Sequence, residues 1–114
     1  MTEKTEHPWI DIAPGIKRRA IVTGTLMYQM RAELSAGSRL PEHHHPHEQI
    51  AHVVRGRLRM IASGVPHELG AGESFYIASN VPHAVEAIED TTVIDTFSPP
   101  REDYLAQDRA ASGG

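Results

Sequence analysis

The sequence predicts an all-β fold, an antiparallel barrel or sandwich, and two observations support this prediction. Short segments rich in β-branched or alternating apolar residues recur at regular spacing, with glycine, proline and asparagine between them. No helical repeat of apolar residues appears before residue 100. Many short strands separated by turn residues are typical of barrels and sandwiches, in which each strand buries one of its faces.

The individual strands follow from this pattern. Alternation of apolar and polar residues is clearest over Leu26–Leu34, inside a first strand region predicted over 22–34. Further strands are predicted over Gln49–Val54, Leu58–Ala62, Ser74–Ile77, His83–Ile88 and Thr91–Phe97. Turns are predicted at 36–37, 55–57, 63–66, 70–72 and 80–82. Residues 102–107 are expected to form one helical turn, and residues 108–114 to fray.

Length and composition limit the possible functions. A chain of 114 residues suffices for one domain (1–114), whose core we expect over about 20–101. The net charge of −4 does not suggest nucleic-acid binding, and no apolar run approaches the roughly 20 residues needed to span a bilayer. Residues 1–6 lack the basic-then-apolar order of a signal peptide. With no cysteine in the chain, we expect a cytoplasmic protein without disulfides.

A cluster of histidines is the most informative feature of the chain. Four of the eight histidines lie within residues 43–47, Gln49 follows shortly after, and His83 comes after Asn80-Val81-Pro82. Without thiolates, a metal would have nitrogen and oxygen ligands, which favours zinc, iron, nickel, manganese or copper. The alternative is a solvated histidine-rich loop that binds metal adventitiously, with His83 as a hydrogen-bonded structural residue.

Strand parity leaves the ligand set open. In a regular strand, His43, His45, His47 and Gln49 would share one face, because side chains alternate with period two. Pro46 interrupts strand pairing, so a uniform strand is not expected here. Spacing alone therefore does not choose between His43/His45 and His45/His47.

A second unusual segment runs from Asp95 to Tyr104. Asp95 lies in a β-branched strand, where carboxylates are depleted, and shares its parity with Val93 and Phe97. If this face points inward, Asp95 could reach the histidines and transfer protons; otherwise it is an edge-strand carboxylate in solvent. Pro99-Pro100 stiffens the chain before Arg101, whose guanidinium suits a substrate carboxylate. The alternative for Arg101 is an ion pair with Glu102 or Asp103.

The spacing of these residues resembles that of the cupin superfamily. Its first motif reads here as Gly37, five residues, His43-His44-His45, three residues, Gln49, six residues and Gly56. Its second motif reads as Gly72, five residues, Ala78-Ser79-Asn80, two residues and His83, with Ala78 and Asn80 in place of proline and glycine. Asparagine tolerates the left-handed turn that glycine supplies. The resemblance covers residues 26–101.

The cupin resemblance implies a fold and a ligand set. The fold would be a double-stranded β-helix, that is, a jelly-roll antiparallel barrel, and the protein a homodimer. It also implies one divalent transition metal per chain, such as zinc, nickel, iron or manganese. Its implied ligands are His43, His45, Gln49 and His83. We expect Trp9-Ile10-Asp11-Ile12 to pair with a neighbouring sheet edge, which would cover an exposed strand.

Within the cupins, the chain resembles the KdgF family of small cupins. Two segments carry this narrower resemblance, His-Pro-His-Glu-Gln and Asp95-Thr96-Phe97-Ser98-Pro99-Pro100-Arg101. That family converts 4,5-unsaturated uronate monosaccharides from pectin and alginate into linear keto sugars. The resemblance implies an acidic sugar as substrate, Asp95 as the acid/base, and Phe97 and Arg101 in the substrate site.

The neutral amide of Gln49 bears on the chemistry. With three imidazoles and one amide, a divalent ion keeps its full charge and is a stronger Lewis acid than beside a glutamate. Such a site should disfavour high-valent iron, which favours isomerisation or hydration over dioxygenase chemistry. The rival interpretations are a non-catalytic sugar- or small-acid-binding cupin and a metal-dependent oxygenase.

Overall fold

Ten strands and one helix make up the part of the chain that the structure, a computed structural model, describes, residues 7–113. The predictions made for residues 1–6 and for Gly114 lie outside the described residues. The strands are β1 Ile10–Ala13, β2 Ile16–Thr23, β3 Tyr28–Leu34, β4 Arg39–His43, β5 Glu48–Arg55, β6 Arg57–Ala62, β7 Val65–Gly70, β8 Ser74–Ile77, β9 His83–Ala87 and β10 Thr91–Ser98. The helix, α1 Glu102–Ala111, has ten residues and is too short to cross a bilayer.

The strands form two antiparallel sheets. A six-stranded sheet has the order β1-β2-β3-β10-β5-β8, and a four-stranded sheet has the order β4-β9-β6-β7. The all-β jelly-roll prediction is confirmed, but the closed barrel is not, because no strand pairing joins the two sheets within residues 7–113. One physical reason is that the segment 44–47, which carries the chain from β4 in one sheet to β5 in the other, contains Pro46, and this residue prevents continuous pairing there.

The inner faces of the sheets form the core by strict alternation. In β3, the residues Tyr28, Met30, Ala32 and Leu34 are buried, and the residues between them are more exposed. Leu58 and Met60, on β6 of the facing sheet, are almost completely buried, as is Val53 on β5 of the same sheet as β3. The predicted period-two pattern is therefore confirmed from Tyr28 onward, whereas Leu26 lies in a turn and is exposed.

Three strands were missed by the sequence prediction, β2, β4 and β7, since the predicted region 22–34 overlaps only the last two residues of β2. The predicted turn at 63–66 is shorter than expected: Ser63 and Gly64 alone form it, with φ values of 49° and 77°, and Ala62 pairs directly with Val65. A two-residue turn with both φ angles positive is typical of tight hairpins. The strand that follows is at the sheet edge, so Pro66 is tolerated there and the apolar alternation is weak.

The C-terminal helix is longer than the one turn predicted. The helix continues through Ala111, so the expectation that residues 108–114 fray is wrong for residues 108–111. The reason is a tertiary contact: the Asp108 carboxylate accepts hydrogen bonds from Arg18 at 3.0 Å and from the Tyr28 hydroxyl at 2.6 Å. These contacts hold the last turns of α1 against the six-stranded sheet.

The N-terminal segment pairs within its own chain. β1 lies antiparallel to β2, with Ile10 opposite Arg18 and Asp11 opposite Lys17, and it forms one edge of the six-stranded sheet. Ile10–Ala13 therefore covers the edge of β2, the kind of protection expected for this segment.

Candidate metal centre and substrate cavity

Three histidines from two segments of the chain lie close together. His43 ends β4 and is paired directly with His83, the first residue of β9. His45 lies in the loop after β4, and its backbone carbonyl accepts a hydrogen bond of 2.8 Å from the amide of Asn80. One ring nitrogen from each histidine lies within 4.8 Å of the others. The structure thus brings together His43, His45 and His83, a cluster that could hold a metal.

The turn before His83 depends on an unusual backbone conformation. Asn80 occupies the position of a motif glycine and has a φ of 63°, in the left-handed region. The expectation that asparagine preserves this turn is therefore confirmed. The turn brings the Asn80 amide to His45 and so connects the two histidine segments.

Backbone carbonyls set the orientation of all three rings. The Nδ1 atom of each histidine lies near the carbonyl oxygen of a residue two positions away: His43 and Pro41 at 2.9 Å, His45 and His47 at 3.0 Å, His83 and Val81 at 2.8 Å. A carbonyl oxygen only accepts, so each Nδ1 carries a hydrogen and each neutral ring has its lone pair on Nε2. The Nε2 of His83 is buried and has no hydrogen-bond partner in residues 7–113. A metal ligand needs such a free lone pair.

Gln49 extends the cluster to a fourth donor atom. Its Nε2 donates a hydrogen bond of 2.8 Å to Oδ1 of Asp95, which turns its Oε1 toward His45. This Oε1 lies 3.2 Å from the His45 Nε2, so two lone pairs face each other. A cation bound between the two atoms would attract both lone pairs and so remove the repulsion between them. Three imidazole nitrogens and one amide oxygen are ligands that suit a divalent transition metal.

The local electrostatics favour neutral imidazoles. Burial lowers the pKa of His83 to about 4. Burial, and then the positive charge of Arg101, also lower the pKa of His45. Neutral imidazole is the form that binds metal. His45 and His83 therefore need no deprotonation near neutral pH before they can bind an ion.

Asp95 lies beside this cluster, inside the molecule. It is on β10, between β3 and β5, and only 7% of it is exposed. Val93 and Phe97, which share its parity, are also buried, so the expectation of an inward face is confirmed and the edge-strand alternative is wrong. Burial raises the pKa of Asp95 to about 6, against the opposing effects of the Gln49 hydrogen bond and the Arg101 charge.

Arg101 lies at the N-terminus of α1 and has contacts of two kinds. Its guanidinium forms an ion pair with Asp103, at 2.8 Å from Nη2 to Oδ2, as one interpretation of the sequence expected. Its Cζ lies 5.2 Å from the centre of the Phe97 ring and 3.8 Å from that of Tyr104. The ion pair uses the Nε and Nη2 atoms of Arg101. The contacts with the two rings restrict the orientation of the guanidinium group.

A cavity joins these groups. Its empty space is about 540 Å³, part of it open to solvent. One part of its wall is polar and is formed by His43, Gln49, His83, Asp95 and Arg101. The rest is largely apolar, with Met30, Leu34 and Met60 among its residues. An apolar cavity with a few converging polar groups is typical of small-molecule sites.

The sequence prediction gave no role to Tyr104 in this wall or to the network behind it. Tyr104 lines the cavity and is buried, and behind it Arg18 contacts its ring. The spacing of Arg101, Tyr104 and Asp108 by three and four residues is the signal that could have revealed one helix face. Among the other histidines, His44 is exposed, and His47 is buried with its Nε2 3.4 Å from Glu102.

Comparison with known proteins agrees with these observations. Residues 30–96 match the family described as Cupin domain. The pectin degradation protein KdgF of Dickeya dadantii (strain 3937) is 33% identical over 102 residues, which cover 88% of this chain and 93% of that protein.

Two solved structures are similar over nearly the whole chain. KdgF from Halomonas sp. has a TM-score of 0.82 and 33% identity, covering 87% of this chain and 92% of that one. An RmlC-like cupin from Shewanella frigidimarina NCIMB 400 has a TM-score of 0.81 and 32% identity, covering 86% and 88%. With this fold and these relatives, the chain belongs to the cupin family, as a KdgF-like member.

Proposed function

We propose that this protein is a metal-dependent enzyme that converts 4,5-unsaturated uronate monosaccharides into linear keto sugars. The observation that carries the proposal is the position of the Asp95 carboxyl. It is hydrogen-bonded to Gln49 beside the three histidines and lies in the wall of the same cavity as Arg101. The KdgF of Dickeya dadantii is named as a pectin degradation protein, and pectin is a polymer of uronates.

Each residue has a defined task in the proposed reaction. The ligands would be His43, His45, Gln49 and His83. A divalent transition metal held by them would supply Lewis-acid polarisation of a substrate oxygen. Arg101 binds the substrate carboxylate, and the Phe97 ring packs against the sugar.

Asp95 moves the proton. In its acid form it donates a proton to C4 of the cyclic enol ether, and a water molecule then forms a bond to C5 and returns a proton to the carboxylate. The resulting hemiketal opens when its C5 hydroxyl proton passes to the ring oxygen and the bond between C5 and that oxygen breaks, which leaves a ketone at C5 and a hydrated aldehyde at C1. The acid form of Asp95 is restored, so one carboxyl group suffices for general acid and then general base catalysis.

The proposal is tested by mixing the metal-loaded protein with 4,5-unsaturated galacturonate and following the loss of its conjugated ultraviolet absorbance. The controls are the protein treated with a chelator to remove its metal and the Asp95→Asn variant. We expect metal-dependent loss that falls by at least about 100-fold in Asp95→Asn, while the bound metal is unchanged. A near-normal rate in Asp95→Asn would show that Asp95 is not the acid/base.

Two other functions give different results in the same experiment. One equivalent of tightly bound metal without turnover of any unsaturated uronate would favour a sugar- or small-acid-binding cupin. Iron-dependent oxygen consumption would favour an oxygenase.

The quaternary structure and location remain predictions. We expect a cytoplasmic homodimer, and the outer face of the six-stranded sheet has exposed apolar residues that a second copy could cover, including Ile50, Val54 and Tyr76. Light scattering that shows a monomer at micromolar concentration would contradict the dimer.

A further inference from the structure

A buried guanidinium group lies behind Arg101. Arg18, on β2, has 0% exposure, and its Cζ lies 4.0 Å from the centre of the Tyr104 ring. The Cζ of Arg101 lies 3.8 Å from the centre of the same ring. One aromatic ring therefore contacts two guanidinium groups, of which only Arg101 lines the cavity.

The hydrogen bonds of Arg18 are all with α1 or with Tyr28, whose hydroxyl is itself hydrogen-bonded to Asp108 of α1. Nη1 donates to the Tyr28 hydroxyl at 2.9 Å and to Oδ1 of Asp108 at 3.0 Å. Nη2 donates to Oε1 of Gln107 at 2.9 Å and to the Tyr104 carbonyl at 3.4 Å. A buried charge is costly unless it is paired and hydrogen-bonded. The position of α1 is therefore coupled to the position of this guanidinium.

The contacts of α1 explain why the single side chain of Arg18 can determine the position of the helix. Tyr104, Gln107 and Asp108 are spaced by three and four residues, so they lie on one face of the helix. Tyr104 is the buried residue of the helix. Tyr104 and the partly buried Leu105 pack on the core, and the hydrogen bonds of Arg18 connect the same helix with β2.

The orientation of α1 also fixes the side chain that meets the substrate. Arg101 is the N-cap of α1, so its backbone position follows from that of the helix. Its guanidinium rests on the Tyr104 ring, and Asp103, in the first turn, holds Nη2 at 2.8 Å. A shift of Tyr104 would therefore move the group at the cavity wall.

We propose that Arg18 is a positioning residue that sets the preference of the cavity for a carboxylate by holding Tyr104 and α1 under Arg101. The inference rests on the proposed function, in which Arg101 binds the substrate carboxylate. Arg18 itself does not line the cavity, so its effect on the ligand passes through Tyr104.

The test compares binding of galacturonate with binding of its uncharged methyl ester, by calorimetry on the metal-loaded protein. The ratio of the two dissociation constants reports carboxylate recognition and does not depend on the fraction of folded protein. We expect the wild-type protein to prefer the acid. Arg18→Lys and Asp108→Asn should each reduce this preference by roughly tenfold, since they break hydrogen bonds to charged groups that orient the helix. Arg59→Lys, on the other sheet and paired with Glu86, is the matched control and should keep the preference.

A second pair of variants tests the aromatic ring itself. Tyr104→Phe keeps the ring and should retain more of the preference than Tyr104→Leu, which removes the surface that both guanidinium groups contact. This comparison remains informative if Arg18→Lys fails to fold.

The results separate the two proposals. An unchanged acid-to-ester ratio in Arg18→Lys and in Tyr104→Leu would overturn the inference, whatever the turnover. A wild-type protein without any preference for the acid would also overturn it. Loss of the preference in these variants, in a protein that turns over no unsaturated uronate, would support the positioning role and refute the proposed reaction.

Discussion

Gln49 donates a hydrogen bond of 2.8 Å to the Asp95 carboxylate, and its other amide atom faces the Nε2 of His45. One side chain thus connects the histidine cluster with the buried carboxyl. The amide can do this because it has a donor on one side and an acceptor on the other. A glutamate in the same place would have acceptors on both sides.

Replacement of Gln49 by glutamate is therefore expected to keep the metal and impair catalysis. The new carboxylate would lie within hydrogen-bond distance of Asp95, and two like charges so close cannot both remain ionised without a large cost. We expect turnover of unsaturated galacturonate to fall by about 100-fold, with metal content unchanged by elemental analysis. Glu48→Gln, at the exposed neighbouring position, is the control. A Gln49→Glu protein with normal turnover would show that the amide donor is dispensable.

Removal of one histidine should abolish metal binding. His83→Ala deletes a lone pair that has no hydrogen-bond partner in the described chain. We expect bound metal to fall from about one equivalent to a small fraction of it, because only two imidazoles and a weakly binding amide oxygen would remain. His44→Ala, in the same segment but exposed, should retain the metal. Equal metal content in the two variants, measured after dialysis, would refute the assignment.

Metal removal should also lower the melting temperature. An ion that binds only the folded state stabilises it by mass action, so the melting temperature of the wild-type protein should rise with metal concentration. His83→Ala should show no such rise. Calorimetric melting curves of both proteins, with and without chelator, provide the measurement, and an identical response in both would contradict the prediction.

The turn at Gly56 should not tolerate a side chain. Its φ is 93°, and an added Cβ would clash with the carbonyl oxygen of Asp90. We expect Gly56→Ala to lower the free energy of unfolding by about 2–4 kcal/mol, since backbone atoms must move. Gly37→Ala is the matched control, because φ is 84° but no atom lies within 4 Å of the added Cβ. It should cost about 1 kcal/mol. Urea unfolding measures both, and equal losses would show that the contact with Asp90 is unimportant.

The pH dependence of stability should contain a contribution from Glu33. Partial burial acts to raise its pKa, but the hydrogen bond from Thr92 and the charge of Arg31 outweigh this and hold the pKa below the ordinary 4.5. A lowered pKa in the folded state stabilises the fold above the unfolded-state pKa, and this contribution is lost as the pH falls through the folded-state pKa.

Glu33→Gln should therefore be less stable than wild type at pH 7, with a difference that shrinks as the pH is lowered below about 4.5. Glu89→Gln, at an exposed position, serves as the control. Unfolding free energies measured across this range would contradict the prediction if the difference stayed constant.

Much of the site could be predicted from the sequence because its residues are close along the chain and follow a fixed spacing. The distance from Gly37 to Gly56 encodes one strand, one crossing loop and the next strand, which bring His43, His45 and Gln49 to the same place. Asp95 could be placed by parity, since β10 alternates regularly from Val93 onward.

The network of Arg18 and Tyr104 could not be predicted in this way. Its members are 86 residues apart, and the burial of a charged side chain in β2 runs against the usual alternation rules. The division of the strands between the two sheets could not be predicted for a similar reason. Local patterns identify strands, but the sheet to which each belongs depends on pairing between distant segments.

The hydrogen bonds from the three Nδ1 atoms to backbone carbonyls affect which substitutions such a protein can accept during evolution. Because main-chain atoms orient the rings, substitutions of surrounding side chains leave the histidines in place. The groups proposed to recognise the substrate come instead from β10 and α1. Mutations in residues 97–104, which leave the hydrogen bond between Gln49 and Asp95 in place, can therefore change which acid is accepted while the histidine cluster stays intact, so the two properties can evolve independently.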